Sequence, residues 1–212
     1  NIEAMMSLYN NLAFEHSKKV TARYSTSFNL ATNLLSPSVK KAIHSIYGFV
    51  RFADEIVDTF HEYDKNHLLH KFERDFYEAL DAGISLNPIL HSFQLTVRQY
   101  DIPLDLIDSF LKSMKMDLEK HNYRSKKEID EYIYGSADVV GLMCLKVFVN
   151  GDEQQYNALK FSAMKLGSAF QKVNFLRDMK DDTEILNRSY FPGIDFGNLD
   201  DESMKPIVDE IE

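Results

Sequence analysis

The sequence predicts an all-α protein, a single domain of packed helices joined by short loops. Over most of the chain apolar residues recur at three- and four-residue steps, the period of a helix with one buried face. The five prolines and eight glycines gather at a few breaks instead of punctuating the chain evenly. No stretch sustains strand alternation between hairpin turns. With 212 residues and 44% hydrophobic content the chain can bury a sizeable core.

Taken in order, helices are expected over about 4–16 and 18–34. The break "LSPSV" follows, and "SPSVKKAIHSIYGFVRFADEIVDTF" reopens with Ser36 as N-cap and Pro37 at the first helical position. Its buried face is outlined by Val39, Ile43, Ile46, Tyr47 and Val50. In "NHLLHKFERDFYEALDAG", Leu68, Phe72, Phe76 and Leu80 recur every four residues and Gly83 stops the run. "DAGISLNP", "YDIP" and "YFPGIDFGN" mark the remaining breaks, between which helices are expected at about 88–99, 103–119, 127–149 and 153–180.

Composition narrows the function classes. A formal charge of -9 and a pI near 5.3 argue against general affinity for nucleic acid or anionic membrane, while leaving room for a local basic site. The N-terminal stretch lacks the charged start, apolar centre and cleavage site of a secretory signal. The longest apolar run, Val139 to Val149, is interrupted by Lys146 and falls short of the roughly 20 residues a spanning helix needs. Peripheral membrane contact stays open. The one cysteine, Cys144, lies in the apolar run "VVGLMCLKVFV" and reads as a buried inert thiol in a reducing, cytoplasmic setting.

The informative residues are acids inside apolar helices. "FVRFADEIVDTF" carries Asp54, Glu55 and Asp58, and "NFLRDMKDD" echoes it with Asp178 and Asp182. Residues four apart share a helix face, so Asp54 with Asp58 and Asp178 with Asp182 form two carboxylate pairs. Like charges so close repel, and among Phe52, Ala53, Ile56 and Val57 that repulsion is costly unless a cation sits between them. Hard oxygen ligands suit Mg2+, with Mn2+ as the alternative, and Mg2+ is commonly held by one or two carboxylates together with substrate phosphates. Each pair has an arginine beside it, Arg51 and Arg177, whose fork binds phosphate oxygens, and Asn174 offers a further oxygen one turn before Asp178. Glu55 points about 100 degrees away from Asp54 around the helix. A solvated helix surface remains the bland account of either pair alone. There is no Glu-x-x-His pair for di-iron, no Cys/His cluster for zinc and no glycine-rich phosphate loop.

Four segments together resemble the trans-prenyl head-to-head synthases, the squalene, dehydrosqualene and phytoene synthases, and among them most closely the bacterial phytoene synthases. They are "YSTSFNLATNLL" from Tyr24, "IYGFVRFADEIVD" from Ile46, "YIYGSADVVGLM" from Tyr132, and "GSAFQKVNFLRDMKDDTEILNRSYFP" from Gly167. The resemblance implies an isoprenoid synthase fold around a central cavity with two Asp-rich motifs facing one another across its mouth. Asp54 and Asp58 match the first metal-binding motif, Asp178 and Asp182 the second, with Asn174 as a further metal ligand. Ser25, Ser27, Arg51, Gln171, Asn174 and Arg188 match positions that contact the diphosphate. Tyr47, Arg51 and Arg177 match groups that assist its departure, and Tyr132 matches the tyrosine beside the reacting carbons, where it steadies a carbocation.

The implied reaction joins two geranylgeranyl diphosphates through a cyclopropyl diphosphate to phytoene, a carotenoid precursor, with Mg2+ and without NADPH. The alternatives are dehydrosqualene or squalene synthesis from farnesyl diphosphate, or a non-catalytic assembly factor of the same superfamily. The implied partners are the prenyl diphosphate substrate and a peripheral membrane contact for product release, with no nucleic acid. The small residues Gly48, Ala53, Ala137, Gly141, Gly167 and Ala169 serve either a tail cavity or close helix packing, and Phe28, Phe52, Phe170 and Phe175 read as core. Two departures from the family stand out. Asp138 replaces a small residue, where a carboxylate facing the prenyl tunnel is costly unless it turns away or finds a partner. The chain ends at Glu212, where relatives continue for roughly one quarter more, so an open cavity and impaired activity are expected of it alone.

Overall fold

The computed structural model describes the backbone of residues 2–119 and 125–184, and side chains within 3–119 and 125–171. Among these residues there are helices and no strands. The order is α1 (Ile2–Tyr24), α2 (Thr26–Thr32), α3 (Pro37–Asp58), α4 (Lys65–Ala82), α5 (Pro88–Gln99), α6 (Leu104–Glu119), α7 (Lys126–Ile133), a π-helical turn (Tyr134–Asp138), α8 (Val139–Phe148) and α9 (Glu153–Glu184).

Local chemistry explains most of the boundaries. Asp64, Asn87 and Ser125 cap α4, α5 and α7 by accepting backbone N–H bonds in the first turn. Gly83 ends α4 with a φ of 72°, a left-handed conformation that glycine adopts without a Cβ clash. Ser36 does precede α3, but its side chain makes no capping bond, and Pro37 opens the helix by its fixed φ.

Two expected boundaries are corrected. The chain does not break near residue 17: α1 runs to Tyr24, and the break falls at Ser25, whose Oγ accepts from the Phe28 N–H at 3.3 Å and starts α2. Ser17 lies in the helix interior, buried against Ser92 with their hydroxyls 2.7 Å apart. The single helix expected over 127–149 is interrupted by the π turn, an irregularity that often marks functional positions.

Helix α3 is the central element, packed by α1, α4, α5, α6 and α8. Phe49 is fully buried at its middle, with ring centroids of Phe93, Phe72, Phe76 and Phe110 at 4.1, 5.2, 5.3 and 5.8 Å. Ala42, Ile43, Ile46, Ala53, Ile56 and Val57 extend this face, removing apolar surface from water along the whole helix. Where α1, α3 and α5 meet, the contact is instead lined by hydroxyls, Ser17 with Ser92 and Ser45 with Thr96, each buried and satisfied. Lys146, buried in α8, is neutralised by Glu153 and stands over the Tyr156 ring at 4.6 Å. Burial pushes the Cys144 thiol up to about 12, which keeps it protonated and unreactive.

The small residues serve packing. A Cβ on Gly141 would stand 3.3 Å from the Ala163 carbonyl oxygen, and one on Gly167 3.1 Å from that of Ala137, so the two glycines let α8 and the π turn approach α9. Ala53 is sealed in the core. Phe28 and Phe170 are not core residues as expected: they are 36% and 63% exposed, while Phe52 packs at the core's edge. The Phe175 side chain lies outside the described residues.

Candidate active site

The face of α3 opposite Phe49 carries Tyr47, Arg51, Asp54 and Asp58 at steps of four, three and four residues, one stripe on a helix. The end of α1 and the start of α2 fold over its first part. Arg51 places its guanidinium 4.3 Å from the centroid of the Tyr24 ring and pairs with Glu55. Phe28 stacks on Tyr47 with centroids 5.2 Å apart, and Ser25 hydrogen-bonds the Tyr47 side chain. Burial raises the pKa of the Tyr47 phenol most, while the positive charge of Arg51 opposes that rise. Ser27 sits on the same short helix and is exposed.

Arg51 is held but incompletely satisfied. Burial works against its charge, and the hydrogen bond and charge of Glu55, then Asp54, restore it above the usual value. Its Nε is buried with no hydrogen-bond partner among the described residues. A buried donor left open costs about 1–3 kcal/mol, which an arriving anion would recover. Glu55, which the sequence placed off the stripe, is the counter-ion that holds the guanidinium in place.

Asp54 has the opposite need. The residue is half-buried, and the atoms packed around it take water away from its carboxyl. Desolvation, then the charge of Asp58, push it up to about 8, with Arg51 pulling the other way and Asp117 and Glu55 adding further negative charge. A carboxyl with that pKa is largely protonated at neutral pH. A divalent cation would offset the repulsion and let Asp54 ionise, and an all-oxygen pair one turn apart fits a hard cation such as Mg2+. Among the described residues no three His, Cys, Asp or Glu side chains close a metal cluster.

The sequence reading missed Asp117. It comes from α6, is 4% exposed, and its Oδ2 accepts the Tyr132 hydroxyl at 2.8 Å. The contact depends on Gly135 in the π turn, where a Cβ would stand 2.6 Å from the Ser109 carbonyl oxygen of α6. Only glycine allows that approach. Donating its proton to Asp117 fixes the orientation of the Tyr132 phenol. A signal existed: Phe110, Met114 and Asp117 follow helical steps of four and three, which puts an acid on an apolar face.

The π turn also answers the question raised by Asp138. That carboxylate is 7% exposed and accepts from Ser168 Oγ at 2.9 Å, so it has a partner on α9. Gln171 donates to Ser136 Oγ at 3.2 Å, which docks α9 beside Tyr132's segment. Asn174, Arg177, Asp178 and Asp182 continue along α9, but their side chains lie outside the described residues, as does Arg188 altogether. The structure therefore brings together Ser25, Tyr47, Arg51, Asp54 and Asp58, with Tyr132 joined through Asp117, and describes Gln171 bound to the π turn.

Known proteins resemble this chain in sequence and in fold. The family model described as squalene/phytoene synthase matches residues 21–200. A chloroplastic phytoene synthase 2 from Oryza sativa subsp. japonica is 31% identical over 196 residues, covering 85% of this chain and 46% of its own length. A 15-cis-phytoene synthase from a Paracoccus species is 29% identical over 188 residues, 84% of this chain and 59% of its own. The chain thus spans about half the length of the curated relatives it matches. The crystal structure of a squalene synthase from Alicyclobacillus acidocaldarius superposes with a TM-score of 0.81 at 21% identity, over 96% of this chain and 81% of that one. A dehydrosqualene synthase in complex with ligand gives 0.82 at 20% identity, over 95% and 72%. The fold is that of these structures, and the chain belongs to the squalene/phytoene synthase family, whose members are prenyltransferases.

Proposed function

We propose that this chain carries the diphosphate-binding site of a head-to-head prenyl synthase, and that the substrate is geranylgeranyl diphosphate and the product phytoene. The observation that carries the reading is a pair of opposite deficits on one helix. Asp54, desolvated and repelled by the charge of Asp58, needs a cation, and one turn away the buried Nε of Arg51 needs an acceptor. A metal-bound diphosphate supplies both. The names of the curated relatives, phytoene synthases of plants and a bacterium, favour the C20 substrate.

Asp54 and Asp58 would hold the metal, with Asp178, Asp182 and Asn174 as the second set of ligands. Bound Mg2+ would neutralise charge on the leaving diphosphate. Arg51, freed of its open donor, would bind a diphosphate oxygen and orient it, with Ser25, Ser27, Gln171, Arg177 and Arg188 as further contacts. Tyr47, packed under Phe28 and linked to Ser25, would wall the headgroup from the apolar tail. Ionisation breaks the C1–O bond and the electron pair leaves with the diphosphate. The allylic cation is attacked by the double bond of the second substrate, and loss of a proton closes the cyclopropane. A second ionisation and rearrangement, ending in loss of another proton, give the 1-1' linked hydrocarbon. Tyr132, oriented by Asp117, would face the cation while the apolar surroundings keep water away.

The test is to incubate the full-length protein with geranylgeranyl or farnesyl diphosphate and Mg2+, with and without NADPH, and to identify the hydrocarbon. Phytoene formed from the C20 substrate without NADPH is expected. A C30 product instead would overturn the substrate assignment, and absence of any C40 or C30 hydrocarbon would overturn the reaction.

A further inference from the structure

A groove of about 700 Å3 opens at the N-terminal end of α3, between that end, α1 and the turn after α2. Lys18 of α1 and Lys40 and Lys41 of α3 line it, together with Asn33 and His44, and Glu15 is the one acid among its described lining residues. Lys40 donates to Asn33, and Lys41 donates to Asn11 Oδ1 at 2.8 Å while its ammonium stands 4.6 Å from the centroid of the Phe14 ring. Among the described residues none of the three lysines pairs with a carboxylate. In a protein of net charge -9 this is a local reversal of sign.

The buried imidazole of His44 reports the same convergence. It is 1% exposed, its Nε2 lies 2.9 Å from Thr32 Oγ1, and burial, then the charges of Lys40 and Lys18, hold it down at about 4. His44 is therefore neutral, and the positive charge of the groove comes from lysines alone. The N-terminus of the 22-residue α3 adds a dipole of the same sign. Leu34, 91% exposed in the turn after α2, stands beside Asn33 at the rim.

We propose that this lysine-lined groove is an anion site for a phosphate ester, either a free diphosphate or a phospholipid headgroup, separate from the acid stripe. Lys40 and Asp54 are fourteen residues apart on one helix, about 21 Å at 1.5 Å per residue, so one ligand headgroup does not serve both places. The groove stands independently of the reaction assigned to the acid stripe.

The experiment uses the full-length protein in EDTA, so that the carboxylates of the acid stripe cannot recruit a metal diphosphate. Inorganic diphosphate is titrated by calorimetry, and phosphatidylcholine vesicles with and without phosphatidic acid are tested by co-sedimentation. Binding in the diphosphate arm identifies a free anion as the source; binding confined to phosphatidic acid vesicles identifies the headgroup. In either case K18A/K40A/K41A should weaken it by about tenfold or more. Because Lys41 also packs on Phe14, K18Q/K40Q is measured in parallel and should weaken binding without moving the unfolding midpoint. Failure to bind in both arms, or equal binding by wild type and both variants, overturns the proposal.

Discussion

The two faces of α3 solve opposite problems with the same backbone. On one, Phe49 meets four other phenylalanine rings at the centre of the apolar core. On the other, about half a turn away, half-buried Asp54 feels the charges of Asp58 and Asp117, while Arg51 keeps a buried donor open. The first face is complete without a ligand. The second is electrostatically unfinished, with unmet needs of both signs. The difference teaches that the site is built at some expense of stability and is held in place by the completeness of the core behind it.

That contrast can be broken most strongly from the core side. Phe49→Ala leaves a large cavity among rings that cannot collapse together, and should cost about 3–5 kcal/mol in the free energy of unfolding, read from denaturant titration. A loss below about 1 kcal/mol would mean that the core is not centred on this ring. On the site face, Asp54→Asn should reduce turnover about 100-fold, as expected when a charge-stabilising contact is lost. It should leave the metal-free protein as stable as before or more so. A drop in stability on the scale of Phe49→Ala would erase the distinction between the faces.

The same residue sets a pH dependence. Because the Asp54 pKa is higher folded than unfolded, about 8 against 3.8, the native state binds the extra proton between those values. Metal-free stability should therefore fall as pH rises through that window. Denaturant midpoints at about pH 5 and pH 8.5 should differ in that direction, and Asp54→Asn should flatten the difference.

Asp117→Asn sharpens the comparison more gently. Asparagine keeps an acceptor for Tyr132 but loses the charge, so turnover should fall roughly tenfold with little change in substrate KM. The loss should be non-additive with Tyr132→Phe, since both disturb one hydrogen bond. Full additivity would separate the two residues. Smallest of all, Arg74→Ala breaks an exposed pair with Glu78, both more than half exposed, and should shift stability by less than about 0.5 kcal/mol.

Much of this architecture was legible in the residues. The stripe from Arg51 to Asp58 is a matter of three- and four-residue steps, although Tyr47, expected on the buried face, joins that stripe instead. Gly83, Asn87 and Pro88 announce their boundaries through local chemistry. Where local signals were absent the reading slipped. Nothing before Ser17 or after it marks α1 as continuous, and the π turn carries no pattern distinct from a helix. Phe28 looked like core because it is aromatic, but its place on a short capped helix sends it to the rim against Tyr47.

The sequence by itself determined the all-helical pattern, the central acid-bearing segment and the placing of Arg51 beside Asp54 and Asp58, because these follow from neighbours within one or two turns. Only tertiary structure decided that Tyr132 donates to Asp117, that Asp138 is answered by Ser168, and that three lysines from two helices face one groove. Those meetings join residues 15 to 30 positions apart and, for the lysines, different helices. They depend on how closely and at what angle helices cross, which is fixed by packing at points such as Gly135 and Gly167 and leaves no periodic trace along the chain.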